Sequence, residues 1–256
     1  MDLKEILKHI EQNRKNIGLS EEEMNKLWVA ADDLRKFEKE RTDKNLREPP
    51  EDAKYPLAWK AYYKAFAEHY EAVRETTRLP YFVHLLGVQR TLLQYKFGRN
   101  DTMLAAAILH DWIEDNVDPE KWDATLSWVV NELNKEVADL IKALTNEPTQ
   151  KIDIDEKEIK LYFAKQEDGS IKLMVKADYI NHKLCHMDDK ALFIKLADFQ
   201  DNIIESKNER ESPIRIWGHI KFIEDNAEIF KDKINPDHIT LMGNIKRILK
   251  DIYGID

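Results

Sequence analysis

The chain has 256 residues, of which 43% are hydrophobic and 35% charged, with a formal net charge of -9. That length buries a sizeable core and that composition excludes disorder. The acidic balance gives no footprint for a nucleic-acid polyanion, although a bound metal lets an acidic protein take a small anionic substrate.

Only 7 Gly and 8 Pro are present, against abundant Lys, Glu, Leu and Ala, which predicts a mostly helical protein. The first 40 residues read as helix: Leu3, Ile6, Leu7 and Ile10 recur at helical spacing, and Ser20 with Glu23 resembles a capping box. Residues 39–56 are charged and carry Pro49, Pro50 and Pro56, which predicts a surface loop. A helix is expected from Ala58 to about Arg74, then a stop at Pro80, then a helix from Leu85 to Tyr95 that Gly98 ends. Asp101 is a candidate cap for the next helix, Thr102 to about Asp115. Amphipathic helices follow at Trp122–Val130 and Lys135–Leu144, closed by Pro148. Two alternating runs, Lys160–Phe163 and Ile171–Val175, flank Glu167-Asp168-Gly169-Ser170, which predicts a β-hairpin. Helix resumes near Ile180, continues from Leu192 to Glu205, and fills the C-terminus over Trp217–Phe230 and Ile239–Ile252.

The chemistry concentrates in Ala105-Ala106-Ala107-Ile108-Leu109-His110-Asp111-Trp112-Ile113-Glu114-Asp115. On one continuous helix His110 stacks over Glu114 and Asp111 over Asp115, so the four ionisable groups share a face. Burying them without a partner costs several kcal/mol per ion, which a divalent metal offsets. His84, after Pro80-Tyr81-Phe82-Val83, and Asp198, after Phe193-Ile194-Lys195-Leu196-Ala197, complete a two-His, two-Asp donor set. Imidazole with carboxylate suits Mn, Fe, Ni, Zn or Mg-like ions and leaves positions open for water and substrate.

These motifs resemble the HD-domain phosphohydrolases, and within them the hydrolase domain of RelA/SpoT-type alarmone enzymes. The resemblance spans roughly residues 60–206 and rests on four stretches. These are Pro80-Tyr81-Phe82-Val83-His84, the segment Ala106–Asp115, Glu136–Ile141, and Ile194-Lys195-Leu196-Ala197-Asp198 followed by Asn202. It implies an all-α HD-domain helical bundle with a small β-hairpin insertion near 160–175. It also implies Mn2+ or another divalent metal held by His84, His110, Asp111 and Asp198, and an attacking water positioned and deprotonated by Glu114 and Asp115. Asn202, with Arg74, Arg78 and Lys195, would contact a small-molecule nucleotide. The implied reaction is removal of the 3′-pyrophosphate from guanosine or adenosine 3′,5′-polyphosphates. Where that family usually has Pro, Arg and His, this chain has Leu85, Phe199 and Asp201.

The expected organisation is an N-terminal helical extension and loop at 1–56, an HD core at 57–210 with an insertion at 150–180, and packed C-terminal helices at 211–256. Two alternatives remain open: an HD hydrolase of another phosphate ester (a nucleoside monophosphate or cyclic nucleotide), and a non-catalytic nucleotide-binding module. Trp59, Tyr62 and Tyr63 are candidates to stack on a purine, or else core residues of one helix. The single cysteine, Cys185, excludes an intramolecular disulfide. The longest apolar run, Met103–Leu109, is too short to span a bilayer, and no signal peptide is evident, so no membrane partner and a cytoplasmic location are expected.

Overall fold

The computed structural model describes residues 49–69, 72–74, 80–147, 149–154, 157–166, 168–205 and 211–255. The helices expected in the first 40 residues, most of the loop at 39–56 and the candidate Arg78 lie outside these described residues. The chain divides into two units, Met1–Asp52 and Ala53–Asp256, and the second carries everything that follows.

The architecture is all-α with a small antiparallel sheet, as expected from the sequence. At its centre lies α3 (Asp101–Leu109), in which every residue from Thr102 to Leu109 is buried. A helix that is apolar all round has to be wrapped on all sides. Around it pack α1 (Pro56–His69), α2 (Tyr81–Leu93), α6 (Lys135–Leu144) and α8 (Asp189–Glu205). The remaining helices are α4 (Trp112–Asn116), α5 (Trp122–Glu132), α7 (Lys176–His186), α9 (Glu211–Asp225), α10 (Ala227–Phe230) and α11 (Pro236–Tyr253). No helix among the described residues is long and apolar enough to cross a membrane.

Several boundaries differ from those read in the sequence, each for a local reason. Helix α1 ends at His69, not near Arg74, because the chain turns back: the Ala72 amide donates to the His69 carbonyl (3.1 Å), and Val73 bridges Pro80. Helix α2 begins four residues earlier than expected, with Pro80 as its N-cap, so His84 stands in its first turn. Proline tolerates that place because the first amides of a helix have no intrahelical acceptor. Asp101 is not the cap of α3. Asn100 is, accepting from the Met103 amide, while the Asp101 carboxylate accepts from the Leu57 and Ala58 amides (2.9 and 2.8 Å) and caps α1 from across the core.

The predicted hairpin is present as β2 (Lys157–Lys165) and β3 (Ile171–Val175), with Leu161 opposite Val175 and Lys165 opposite Ile171. Gly169 takes φ +83° in the turn, a backbone conformation that favours glycine. The sequence reading missed a third strand, β1 (Thr149–Ile154), antiparallel to β2. The sheet lies against α7, where Tyr162 stacks on Tyr179 with ring centroids 4.9 Å apart.

Asp101 ties the start of α1 to the buried helix, so its carboxylate carries more than a local cap. Asp101→Ala is expected to lower the unfolding free energy by about 1–2 kcal/mol, with Asp101→Asn retaining part of the loss. Denaturant midpoints of the two variants check this, and an unchanged midpoint for the alanine variant contradicts it.

Candidate metal centre

The central helix does not continue to Asp115. It stops at Leu109, and α4 restarts at Trp112. His110 Nδ1 lies 2.8 Å from the Ala107 carbonyl, the acceptor that the Asp111 amide would take in an unbroken helix. A side chain that captures a ladder carbonyl bends the chain there. The one-face argument for His110, Asp111, Glu114 and Asp115 is therefore corrected: the first two stand at the bend and the last two on a separate short helix.

The bend brings the groups together with residues from two other elements. His84 (α2), His110 and Asp198 (α8) are 1%, 2% and 4% exposed, and Asp111 is half-buried. His84, His110 and Asp111 each offer a ligand atom within 4.8 Å of one another. Asp198 Oδ1 joins them, 3.2 Å from His84 Nε2 and 3.7 Å from His110 Nε2. The Asp111 carboxylate lies 3.0 Å from His110 Nε2 and accepts the Tyr81 hydroxyl at 2.6 Å.

The donor chemistry fits a divalent cation. A carbonyl only accepts, so His110 Nδ1 carries a proton and Nε2 faces the cluster, where it is buried and makes no well-directed hydrogen bond. A carboxylate likewise only accepts, so His84 donates from Nδ1 to Asp201 Oδ2 (2.7 Å) and also turns Nε2 inward. Burial pulls the His84 imidazole down, but hydrogen bonds to Asp198 and Asp201 outweigh it and hold it at about 9. At His110 the same burial is overcome by the charge of Asp111. Burial raises Asp111 and Asp198, and the imidazoles and Lys195 more than reverse that, leaving both well below the usual carboxylate range. Carboxylates this crowded demand positive charge between them, which a proton or a metal ion can supply.

Glu114 and Asp115 line the same cleft, of about 230 Å³. The Asn146 backbone and side-chain amides hold the Glu114 carboxylate at 3.1 and 2.7 Å. Burial, with the charges of Asp111 and Glu114, raises Asp115 to about 6. Asn202 faces the cleft but is engaged, donating to Asp198 Oδ1 (2.6 Å) and accepting from Arg74 (2.7 Å). Lys195 donates to Asp198 Oδ2 at 2.7 Å. The cleft is also lined by residues that no motif pointed to: Lys176, Arg215 and His219. His219 stacks on Phe199 (5.3 Å, 14°) and donates from Nδ1 to Asn181 Oδ1. Burial and the cations Lys195 and Arg215 depress its imidazole to about 4, so it is neutral. Burial and the same two cations lower Lys176. Trp59, Tyr62 and Tyr63 do not line this cleft; Tyr62 packs edge-on against Phe82 at 5.0 Å.

No family model matches the sequence, and no curated protein matches it. Among solved structures the fold is similar to that of a protein described as a metazoan ortholog of SpoT that hydrolyzes ppGpp and plays a role in starvation responses. The TM-score is 0.50 at 18% identity, over 78% of this chain and 96% of that chain. The likeness is one of fold alone.

His69 connects the centre to stability. It is 1% exposed, stacks on Tyr81 (5.0 Å, 11°), and burial lowers its pKa from 6.5 to about 4. Between those values the unfolded chain binds the proton and the folded chain does not, so stability falls as the pH drops through that window. The slope for this group is about 1.4 kcal/mol per pH unit. His69→Gln is expected to flatten the acid side of a plot of unfolding midpoint against pH; an unaltered slope contradicts this.

Proposed function

We propose that the chain is a metal-dependent phosphohydrolase that removes the 3′-pyrophosphate from guanosine or adenosine 3′,5′-polyphosphates. The observation that carries this reading is the make-up of the cleft: a converging His84-His110-Asp111-Asp198 cluster, lined in addition by the cations Lys176, Lys195 and Arg215. A single phosphate needs one cationic partner, whereas a substrate phosphorylated at both ends needs positive charge at both.

His84, His110, Asp111 and Asp198 would hold Mn2+ or another divalent ion, which when bound lowers the pKa of water and screens phosphate charge. Asp115 accepts the proton of the attacking water, a task its raised pKa of about 6 suits. Glu114, pinned by Asn146, orients that water. Arg215 and Lys176 carry the charge of the phosphates away from the reacting centre, and Arg74 reaches the substrate beside Asn202. The flat Phe199-His219 pair offers a wall for the base. The likeness of fold to a ppGpp-hydrolyzing protein supports the same assignment.

A panel of guanosine and adenosine 3′,5′-polyphosphates, monophosphates and cyclic nucleotides, incubated with Mn2+, tests the reading. Pyrophosphate release from the polyphosphates is expected. Release from none of them removes it in favour of the other phosphate esters, and no turnover of anything leaves a binding module.

His110→Ala and Asp198→Ala are expected to lose bound metal together with activity. Glu114→Gln should keep the metal and lose about 10²–10⁴-fold in kcat. Metal content and turnover, measured on the same preparations, separate the two classes. Full metal retention in the first pair refutes the ligand assignment.

A further inference from the structure

We propose that Asp201 is a positioning residue for the metal centre: it fixes the tautomer and the angle of His84 so that Nε2 is available as a ligand. The proposal rests on the metal-site reading above but not on the identity of the substrate.

Three observations converge on it. The first is the hydrogen bond itself, His84 Nδ1 to Asp201 Oδ2 at 2.7 Å, joining residues 117 apart in sequence on α2 and α8. The second is its seclusion: the His84 side chain is 2% exposed and that of Asp201 13%, so solvent competes little for the proton. The third is the space made for it. Gly87 sits on α2 one turn beyond His84, and a Cβ there would lie 2.0 Å from Asp201 Oδ1 and 2.6 Å from Cγ. Glycine inside a helix costs about 0.5–1 kcal/mol relative to alanine. Here its missing side chain admits the carboxylate that grips the histidine.

The two imidazoles are thus held by acceptors of different kinds. His110 donates to a neutral carbonyl, whereas His84 donates to an anion. A carboxylate behind a ligating histidine fixes its orientation and raises its basicity, and losing such a partner typically weakens metal affinity by about 10–100-fold. With Asp201 gone, the proton can move to Nε2 and the ring can rotate, and either change withdraws the ligand.

Titration of Mn2+ into the metal-stripped full chain tests this without any substrate. Asp201→Leu is expected to raise the Kd by about 10–100-fold, and Asp201→Asn, which keeps an acceptor but loses the charge, by less. Gly87→Ala should weaken Mn2+ by displacing Asp201 while leaving every ligand in place. Thermal melts of the metal-free variants identify any that fail to fold, and the asparagine variant keeps the test alive if the leucine one does. The decisive comparison is a double mutant. If Asp201 acts through His84, adding Asp201→Leu to His84→Ala costs no further affinity. A Kd unchanged by Asp201→Leu, or an equal additional loss on the His84→Ala background, overturns the proposal. Wild-type protein that binds Mn2+ but hydrolyses nothing in the panel removes the hydrolase reading and leaves this one intact. Wild-type protein with no affinity for Mn2+ removes both.

Discussion

Buried charge is the constraint around which the molecule is arranged. His84, His110 and Asp198 are nearly inaccessible to water, and Asp111 is half-buried beside them. Each carboxylate so placed costs several kcal/mol unless it is paired and hydrogen-bonded. The structure supplies partners on every side: Lys195 and Asn202 on Asp198, Tyr81 on Asp111, Asp201 on His84, and the Ala107 carbonyl on His110. What these partners leave over is a set of inward-facing atoms that positive charge, from a proton or a metal ion, stabilises.

The fold answers that constraint by building the centre at the end of its most buried helix. Because α3 is buried on every face from Thr102 to Leu109, it carries no ionisable side chain over that span. Such side chains gather where it stops, at His110-Asp111. The same His110 ring that faces the cluster also takes the Ala107 carbonyl, so the break in the helix and the aim of Nε2 at the cluster go together. Helices α2 and α8 then deliver His84 and Asp198 from packed positions, and a site held by such elements keeps its geometry better than one built on loops.

What the sequence made legible follows from how local each signal is. The donor residues stood out because each follows an apolar run, and the hairpin because Asp-Gly separates two alternating segments. The pattern predicts a helix continuous through Asp115 because nothing local marks the break: no Gly or Pro stands there, and the backbone of both His110 and Asp111 remains in the right-handed region. Asp101 was assigned to its nearest helix because its real partners, the Leu57 and Ala58 amides, are more than forty residues away. Asp201 was noticed only as a departure from a familiar pattern. Its place three residues after Asp198, on the same face of α8, was the signal available. Its partner on α2 and the gap left by Gly87 belong to tertiary structure. Lys176, Arg215 and His219 carry no motif, and only the packing of α7 and α9 over the cleft brings them to it.

That last group bears on how recognition and chemistry divide, on the reading proposed here. The metal-facing wall comes from α2, the α3–α4 bend and α8, within the stretch that resembles the HD hydrolases. Two further cations that line the cleft come from elsewhere: Lys176 opens α7 directly after β3, and Arg215 lies on α9. Lys195 also lines the cleft, with its ammonium paired to Asp198. The neighbouring cations Lys195 and Arg215 help to lower Lys176 and to keep His219 neutral. Cations crowded against one another are stabilised when an anion enters between them. On the proposed reading, Lys176 and Arg215 would therefore favour the more highly charged ligand, a polyphosphate over a monophosphate or cyclic ester.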